Sequence, residues 1–173
     1  SLSAGGPYTS LGTTVAGVET YTHTGLTSNT RYYYRVSAFN AGGSSSYASG
    51  SAVTLPTVPS APSNLTFTSI TSNSIRLNWS DNSNNEDGFE IFRSTSSGGT
   101  FVSVGTTGSG VETFNNTGLS AGTEYFYRVY AFNSGGSSLT YASGSESTLP
   151  LPPVAPSNLN FGTVTSSSIQ LNW

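Results

Sequence analysis

The sequence predicts an all-β protein built from tandem, seven-stranded, immunoglobulin-like β-sandwiches. Three observations support this: the sequence repeats with a period of 93 to 94 residues, apolar and polar residues alternate along short runs, and turn-forming residues separate the runs. No run has the 3.6-residue apolar period of an amphipathic helix. Alternation of this kind places one side of each strand in a core and the other side in solvent.

The repeat is clearest in two pairs of segments. TRYYYRVSAFNAGGSS, from Thr30, returns as TEYFYRVYAFNSGGSS, from Thr123. PSNLTFTSITSNSIRLNW, from Pro62, returns as PSNLNFGTVTSSSIQLNW, from Pro156, with 12 of 18 positions identical. The apolar positions are kept and the positions between them change, as expected for strands with one buried face.

One complete repeat runs from about Pro59 to Pro150. Its predicted strands are NLTFTSI, SIRLNWS, GFEIFRS, TFVSVGTT, VETFNNT, EYFYRVYAFN and YASGSESTL. Alternation predicts a core of Leu65, Phe67, Ile75, Leu77, Trp79, Phe89, Ile91, Phe114, Leu119, Tyr125, Tyr127, Val129 and Ala131. The stretches TLPTVPSAPSN and TLPLPPVAPSN predict semi-rigid spacers, because proline fixes φ and favours extended backbone.

The repeats are out of phase with the ends of the chain. Ser1 aligns with Ser94 and Trp173 aligns with Trp79, so residues 80–93 have no counterpart elsewhere in the chain. We therefore predict the C-terminal part of one domain in residues 1–55 (strands C′ to G). A complete domain with its Pro-rich linker is predicted in residues 56–150, and the N-terminal part (strands A and B) of a further domain in residues 151–173. Trp173 is then expected to belong to a core.

Four motifs of the complete repeat are specific to a known family. They are the Pro-rich entry at Pro62, a strand ending in Trp79, Leu119 placed six residues before Tyr125, and the strand EYFYRVYAFN. Together they resemble the fibronectin type III family, in the version common in secreted bacterial proteins. The resemblance implies the sandwich fold and an extracellular location, but no particular activity.

Composition excludes several classes of function. Only 8% of residues are charged, all five basic residues are arginine, and the net charge is −3, which argues against a nucleic-acid partner. Cysteine is absent, so disulfide and thiolate chemistry are excluded. No apolar run approaches the ~18 residues of a membrane span.

The sequence offers no catalytic constellation, and we predict a protein that is not an enzyme. The one histidine, His23, aligns with Asn116, which cannot act as a base, and we expect His23 to be an exposed strand residue. The adjacent acids Glu86 and Asp87 lie on one loop, whereas a glycosidase needs two carboxylates that face each other across a cleft.

The loop that contains this acidic pair is rich in oxygen ligands. Its candidate calcium ligands are Asp81, Asn82, Asn84, Glu86 and Asp87. Calcium takes six to eight oxygens, so this loop is a candidate calcium site. The alternative, which the sequence favours, is that these side chains cap the amides of their own turn. No other cofactor is expected.

Aromatic residues on the outward face of the sixth strand and its neighbour form a second candidate site. They are Phe92, Phe126, Tyr130 and Phe132 in the complete repeat, with Tyr33 and Phe39 at matching positions in the first repeat. Exposed aromatic patches mark interfaces and also stack on sugars, so a glycan is a candidate partner. The alternative is cross-strand pairing that needs no partner, and Ser37 at the position of Tyr130 weakens the case for a shared pocket.

The last strand pair provides a further predicted interface, formed by Ile169, Leu171 and Trp173. An apolar strand pair with open edges associates readily with other strands. We expect a neighbouring repeat to cover it, either within one longer covalent array or by strand exchange between subunits. The missing counterpart of GFEIFRS favours the covalent array.

The predicted function is structural: a tandem array that forms an extracellular or cell-surface stalk or filament, with adhesion as an additional role and like repeats as partners. The alternative is a non-catalytic spacer or binding module of a secreted polysaccharide-degrading enzyme.

Overall fold

The computed structural model describes residues 1–173 and contains fourteen β-strands and no helix, so no helix is present that could cross a membrane. The strands are β1 (Arg31–Val36), β2 (Phe39–Asn40), β3 (Gly43–Ser44), β4 (Ala48–Val53), β5 (Ser63–Thr68), β6 (Ser74–Ser80), β7 (Gly88–Ser94), β8 (Val102–Gly108), β9 (Thr113–Thr117), β10 (Glu124–Asn133), β11 (Gly136–Ser137), β12 (Ala142–Ser147), β13 (Asn160–Val164) and β14 (Ile169–Asn172).

Strands β5 to β12 form a sandwich of two antiparallel sheets. One sheet has the order β5-β6-β9, and the other has the order β11-β10-β7-β8, with β12 also paired to β10. The seven predicted strands are all present, and the short β11 extends the turn that follows β10. The predicted all-β sandwich is confirmed.

The core lies between the two sheets, where the alternating residues of β6, β7 and β10 meet. All thirteen predicted core residues belong to the apolar cluster, either buried or packed against its buried members. The indole of Trp79 meets the ring of Phe89 edge-on at 5.4 Å between centroids, an arrangement that aromatic pairs favour. Three further members, Ala142, Ile70 and Val104, were not predicted, because their segments are rich in Ser, Thr and Gly.

The flanking segments contain fewer strands than the repeat predicts. Residues 1–30 contain no strand, although they align with a part of the complete repeat that includes β8 and β9. In the complete repeat β8 pairs with β7 and β9 pairs with β6, and residues 1–55 contain no counterpart of β6 or β7. Without a partner strand the backbone N–H and C=O groups have no ladder to join, so no strand forms.

The last strands form an isolated antiparallel pair. Strands β13 and β14 pair with each other alone, and all of their residues are exposed. Trp173 is 75% exposed, and Ile169 and Leu171 are about half exposed. Within this chain Trp173 is therefore not a core residue, and the cover of this pair by a neighbouring repeat stays a prediction.

Candidate functional site

The outward face of β10 presents the aromatic side chains that the sequence singled out. Because paired residues of antiparallel strands share a face, the register Arg128–Phe92 and Tyr130–Glu90 places Phe92 and Glu90 beside the outward residues of β10. The rings of Phe92 and Tyr130 meet edge-on at 5.6 Å. Phe126 and Phe132 lie on the same face of β10 and are half-buried.

An arginine joins two further rings to this surface. The guanidinium carbon of Arg128 lies 3.8 Å from the ring centroid of Phe101 and 4.7 Å from that of Tyr141. The ring of Tyr141 also contacts Tyr130, with 5.0 Å between centroids. A guanidinium on aromatic faces is held by the ring quadrupoles, which fixes an otherwise flexible side chain. We call these five side chains, Phe92, Phe101, Arg128, Tyr130 and Tyr141, the aromatic–arginine face.

Two shallow cavities open on the aromatic–arginine face and share Phe101 and Arg128. The first, of about 340 Å³, lies between Phe92, Phe101, Arg128 and Tyr130. The second, of about 270 Å³, is lined by Phe101, Arg128 and Tyr141 together with the serines Ser97, Ser143 and Ser145. Aromatic rings with a few convergent polar groups are the usual lining of ligand sites, although these cavities are small.

The same stack recurs in the first repeat. The guanidinium carbon of Arg35 lies 4.0 Å from the ring centroid of Tyr8 and 4.3 Å from that of Tyr47. These three residues align with Phe101, Arg128 and Tyr141 at shifts of 93 to 94 positions. The predicted residue Tyr33 lies on β1, the strand that carries Arg35, and Phe39 lies on β2 and is exposed.

Sequence reasoning missed the two arginines and their flanking rings. Alternation alone cannot find them, because Phe101 and Tyr141 lie just before β8 and β12 and not within them. The signal that could have found them is the alignment of the two repeats, which shows an arginine and two aromatic residues at equivalent positions in both.

The structure corrects the expected environment of His23. It is half-buried and lies outside any strand, with Nδ1 3.0 Å from the hydroxyl of Tyr34 and its ring edge-on to Tyr32 and Tyr34. The aligned Asn116 makes the equivalent contact, because its Oδ1 accepts a 2.9 Å hydrogen bond from Tyr127. Both residues therefore serve as polar bridges, which accounts for the histidine without a catalytic role.

Three of the five candidate ligands, Asp81, Asn82 and Glu86, make side-chain hydrogen bonds, and Asn84 and Asp87 make none. Asp81 Oδ1 accepts from the backbone N–H of Ser83 at 2.9 Å, and Asn82 Nδ2 donates to the carbonyl of Ala61 at 2.9 Å. Glu86 is buried, its Oε1 accepts from Ser109 at 2.7 Å, and these hydrogen bonds lower the pKa of its carboxyl. No group of three or more acidic or histidine side chains converges here. Only the contact of Asp81 caps an amide of its own turn, whereas Asn82 and Glu86 join the loop to other segments.

The Pro-rich segment before β5 is fixed to the sandwich. The carbonyl of Thr57 accepts hydrogen bonds from Asn133 Nδ2 at 2.8 Å and from Asn85 Nδ2 at 3.0 Å. Pro59 and Pro62 are buried. The prolines restrict φ and bury their rings, and the amides of Asn133 and Asn85 bind the carbonyl of Thr57. The segment is therefore held in one extended conformation.

The comparisons with known proteins agree with this architecture. The sequence model of the fibronectin type III domain matches residues 60–148. Among solved structures, the FN1–FN3 domains of chicken CNTN1 align with a TM-score of 0.53 and 19% identity, over 72% of this chain and 44% of that one, which supports the fold alone.

Two curated relatives are bacterial. Exoglucanase B of Cellulomonas fimi is 34% identical over 185 residues, which cover 95% of this chain and 16% of that protein. Chitinase A1 of Niallia circulans is 33% identical over 127 residues, which cover 68% of this chain and 17% of that protein. The chain thus spans about a sixth of the length of either relative. On the family match and the observed sandwich, the chain belongs to the fibronectin type III family.

Proposed function

We propose that this chain is a non-catalytic spacer and binding module of a secreted, polysaccharide-degrading bacterial protein. The observation that carries the proposal is the similarity to Exoglucanase B over 95% of the chain, together with the similarity to Chitinase A1. The names of both relatives describe polysaccharide-degrading enzymes, and this chain matches only about a sixth of each. A module that recurs beside different catalytic activities has a role that those activities share.

The contacts of the one histidine and of the buried glutamate support a non-catalytic role. The one histidine is a polar bridge to Tyr34, and the buried carboxylate of Glu86 hydrogen-bonds to Ser109 on a neighbouring turn. Neither is placed with a nucleophile or a second carboxylate in the way that hydrolysis requires.

The spacer role rests on the linker. Residues 57–62 are held against the sandwich by Asn85, Asn133 and the buried Pro59 and Pro62. A linker that is fixed at one end sets the distance between neighbouring units, whereas a Gly/Ser linker allows a wide range of distances. The stalk, filament and adhesion roles gain no support from these relatives, neither of whose names describes such a role.

Two measurements test the proposal. The chain alone should release no reducing sugar from cellulose or chitin. In the full-length protein, replacing this segment by a Gly/Ser linker of equal length should lower the rate on insoluble polysaccharide and leave the rate on soluble oligosaccharides unchanged. Hydrolysis by the chain alone, or a full-length protein without a polysaccharide-degrading domain, would contradict it.

A further inference from the structure

We propose that the aromatic–arginine face is a contact site for the sugar rings of a neutral polysaccharide, and that the stack around Arg35 is a second such site. This inference rests on the proposed function and deepens it, since it names the ligand class and the residues. An arginine within cation–π distance of two aromatic rings occurs once in each repeat.

The guanidinium of Arg128 differs from that of Arg93 in its hydrogen bonding. Arg93 donates from Nη1 to Asn116 Oδ1 at 2.9 Å, whereas the guanidinium of Arg128 makes no hydrogen bond within the chain. The rings of Phe101 and Tyr141 both lie within cation–π distance of it, and its N–H groups have no acceptor within the chain. A fixed fork of donors without a protein acceptor suits the hydroxyl oxygens of a sugar.

The rings of the aromatic–arginine face form a connected and partly exposed surface. Tyr141 is 39% exposed, and its ring continues through Tyr130 to Phe92 in one line of contacts across the sheet. Sugar rings carry apolar C–H faces that pack on aromatic faces while their hydroxyls remain free for hydrogen bonds. The hydroxyls of Ser97, Ser143 and Ser145 line the neighbouring cavity and supply both donors and acceptors.

The charges on this face disfavour an anionic ligand. Glu90 pairs with Tyr130 across the β7–β10 ladder and therefore lies on the same face as Arg128. Glu124, the exposed first residue of β10, shares the face of Arg128, so this outward face carries one cation and two carboxylates, and the chain as a whole carries −3. A polymer of uronic acids or phosphates would be repelled by Glu90 and by the net charge, so the face favours an uncharged glycan.

The stack of an arginine and two aromatic rings is present in both repeats. Position 130 changes to Ser37 in the first repeat, but the stack of Tyr8, Arg35 and Tyr47 is kept, and Tyr47 is 56% exposed. The same exposed group of an arginine and two rings at equivalent positions of two repeats suits a polymer of repeating sugar units. Two weak sites on one chain bind such a polymer more tightly than either site alone.

The test uses the 173-residue chain and three insoluble neutral polysaccharides: cellulose, chitin and starch granules. Sedimentation with each gives the bound fraction. We expect the wild-type chain to be retained on at least one of them, and Arg128→Ala or Tyr141→Ala to weaken retention about fivefold, the effect of losing one cation–π stack. The double variant Arg35→Ala/Arg128→Ala should lose nearly all retention.

The matched control is Arg76→Ala, which removes an exposed arginine of β6 on the other sheet and should leave retention unchanged. Fluorescence of the buried Trp79 verifies that each variant is folded.

The inference is overturned if the wild-type chain is retained on none of the polysaccharides. It is also overturned if the Arg128 and Tyr141 variants are retained as well as the wild type. The spacer function would still hold in that case if replacing this segment by a Gly/Ser linker lowers the rate of the full-length protein on insoluble polysaccharide. Retention that depends on Arg128 supports the inference. If the full-length protein then has no catalytic domain, the proposed function is contradicted while the sugar-binding inference stands.

Discussion

The hydroxyl of Tyr127 donates a 2.9 Å hydrogen bond to Oδ1 of Asn116, and this bond joins the two sheets of the sandwich through its core. Asn116 lies on β9 and Tyr127 on β10, and both side chains are buried. The same Oδ1 also accepts from Nη1 of Arg93 at 2.9 Å. One amide oxygen thus satisfies two donors in a place where an unsatisfied donor is costly.

Removing either partner of this bond should have unequal effects. Tyr127→Phe leaves Asn116 bonded to Arg93 and should lower the free energy of unfolding by about 1 kcal/mol. Asn116→Ala leaves the Tyr127 hydroxyl without an acceptor inside the core and should cost about 2–3 kcal/mol. Urea unfolding measures both, with Asn115→Ala on the exposed face of β9 as the control. Equal losses for the two variants would contradict the shared-acceptor explanation.

Stability should fall at alkaline pH because of Tyr127. Burial raises the pKa of its phenol well above the ordinary value of 10.0. Above pH 10 the unfolded chain loses this proton while the folded chain keeps it, so the free energy of unfolding decreases as pH rises from about 10 towards the folded-state pKa. Urea unfolding at pH 9 and pH 11 should show a smaller decrease for Tyr127→Phe than for the wild type. An identical decrease would assign the effect to other tyrosines.

The decrease of the free energy of unfolding at acidic pH should depend on Glu86. Hydrogen bonds, led by that from Ser109, lower the pKa of this carboxyl below its ordinary 4.5. Its contribution is therefore complete above pH 4.5 and is lost as the pH falls through the folded-state pKa. Glu86→Gln should flatten the fall of unfolding free energy between pH 5 and pH 3, and Glu124→Gln on the exposed start of β10 is the control. A fall as steep as that of the wild type would contradict the assignment.

The sequence was sufficient for the core because the apolar alternation of β6, β7 and β10 is nearly unbroken, as at Ile75, Leu77 and Trp79. The arrangement around Arg128 could not be predicted in the same way. A cation–π stack depends on where two loop residues, Phe101 and Tyr141, place their rings, and no strand periodicity encodes that. His23 was assigned to the wrong environment because its bond to Tyr34 is a contact between segments.

The attachment of the linker gives the last prediction. A Cβ at Gly135 would overlap the carbonyl oxygen of Pro56, so Gly135→Ala should displace the segment that Asn133 and Asn85 hold at Thr57. Asn133→Ala should act in the same direction, because it removes one of the two amide donors to Thr57. Limited proteolysis within residues 54–58 should be several times faster in both variants, since cleavage follows local opening of the backbone.

Gly108→Ala is the matched control for Gly135→Ala, because a Cβ at Gly108 meets no atom within 4 Å. It should leave the cleavage rate of the linker unchanged. Urea unfolding of all three variants separates local opening of the linker from a loss of sandwich stability, which is expected for Asn133→Ala because its side chain also bonds to Asn85 and Gly135. Cleavage at the wild-type rate in both Gly135→Ala and Asn133→Ala would show that Pro59 and Pro62 alone hold the linker. The spacer role would then rest on the restricted φ of proline and not on the amide contacts.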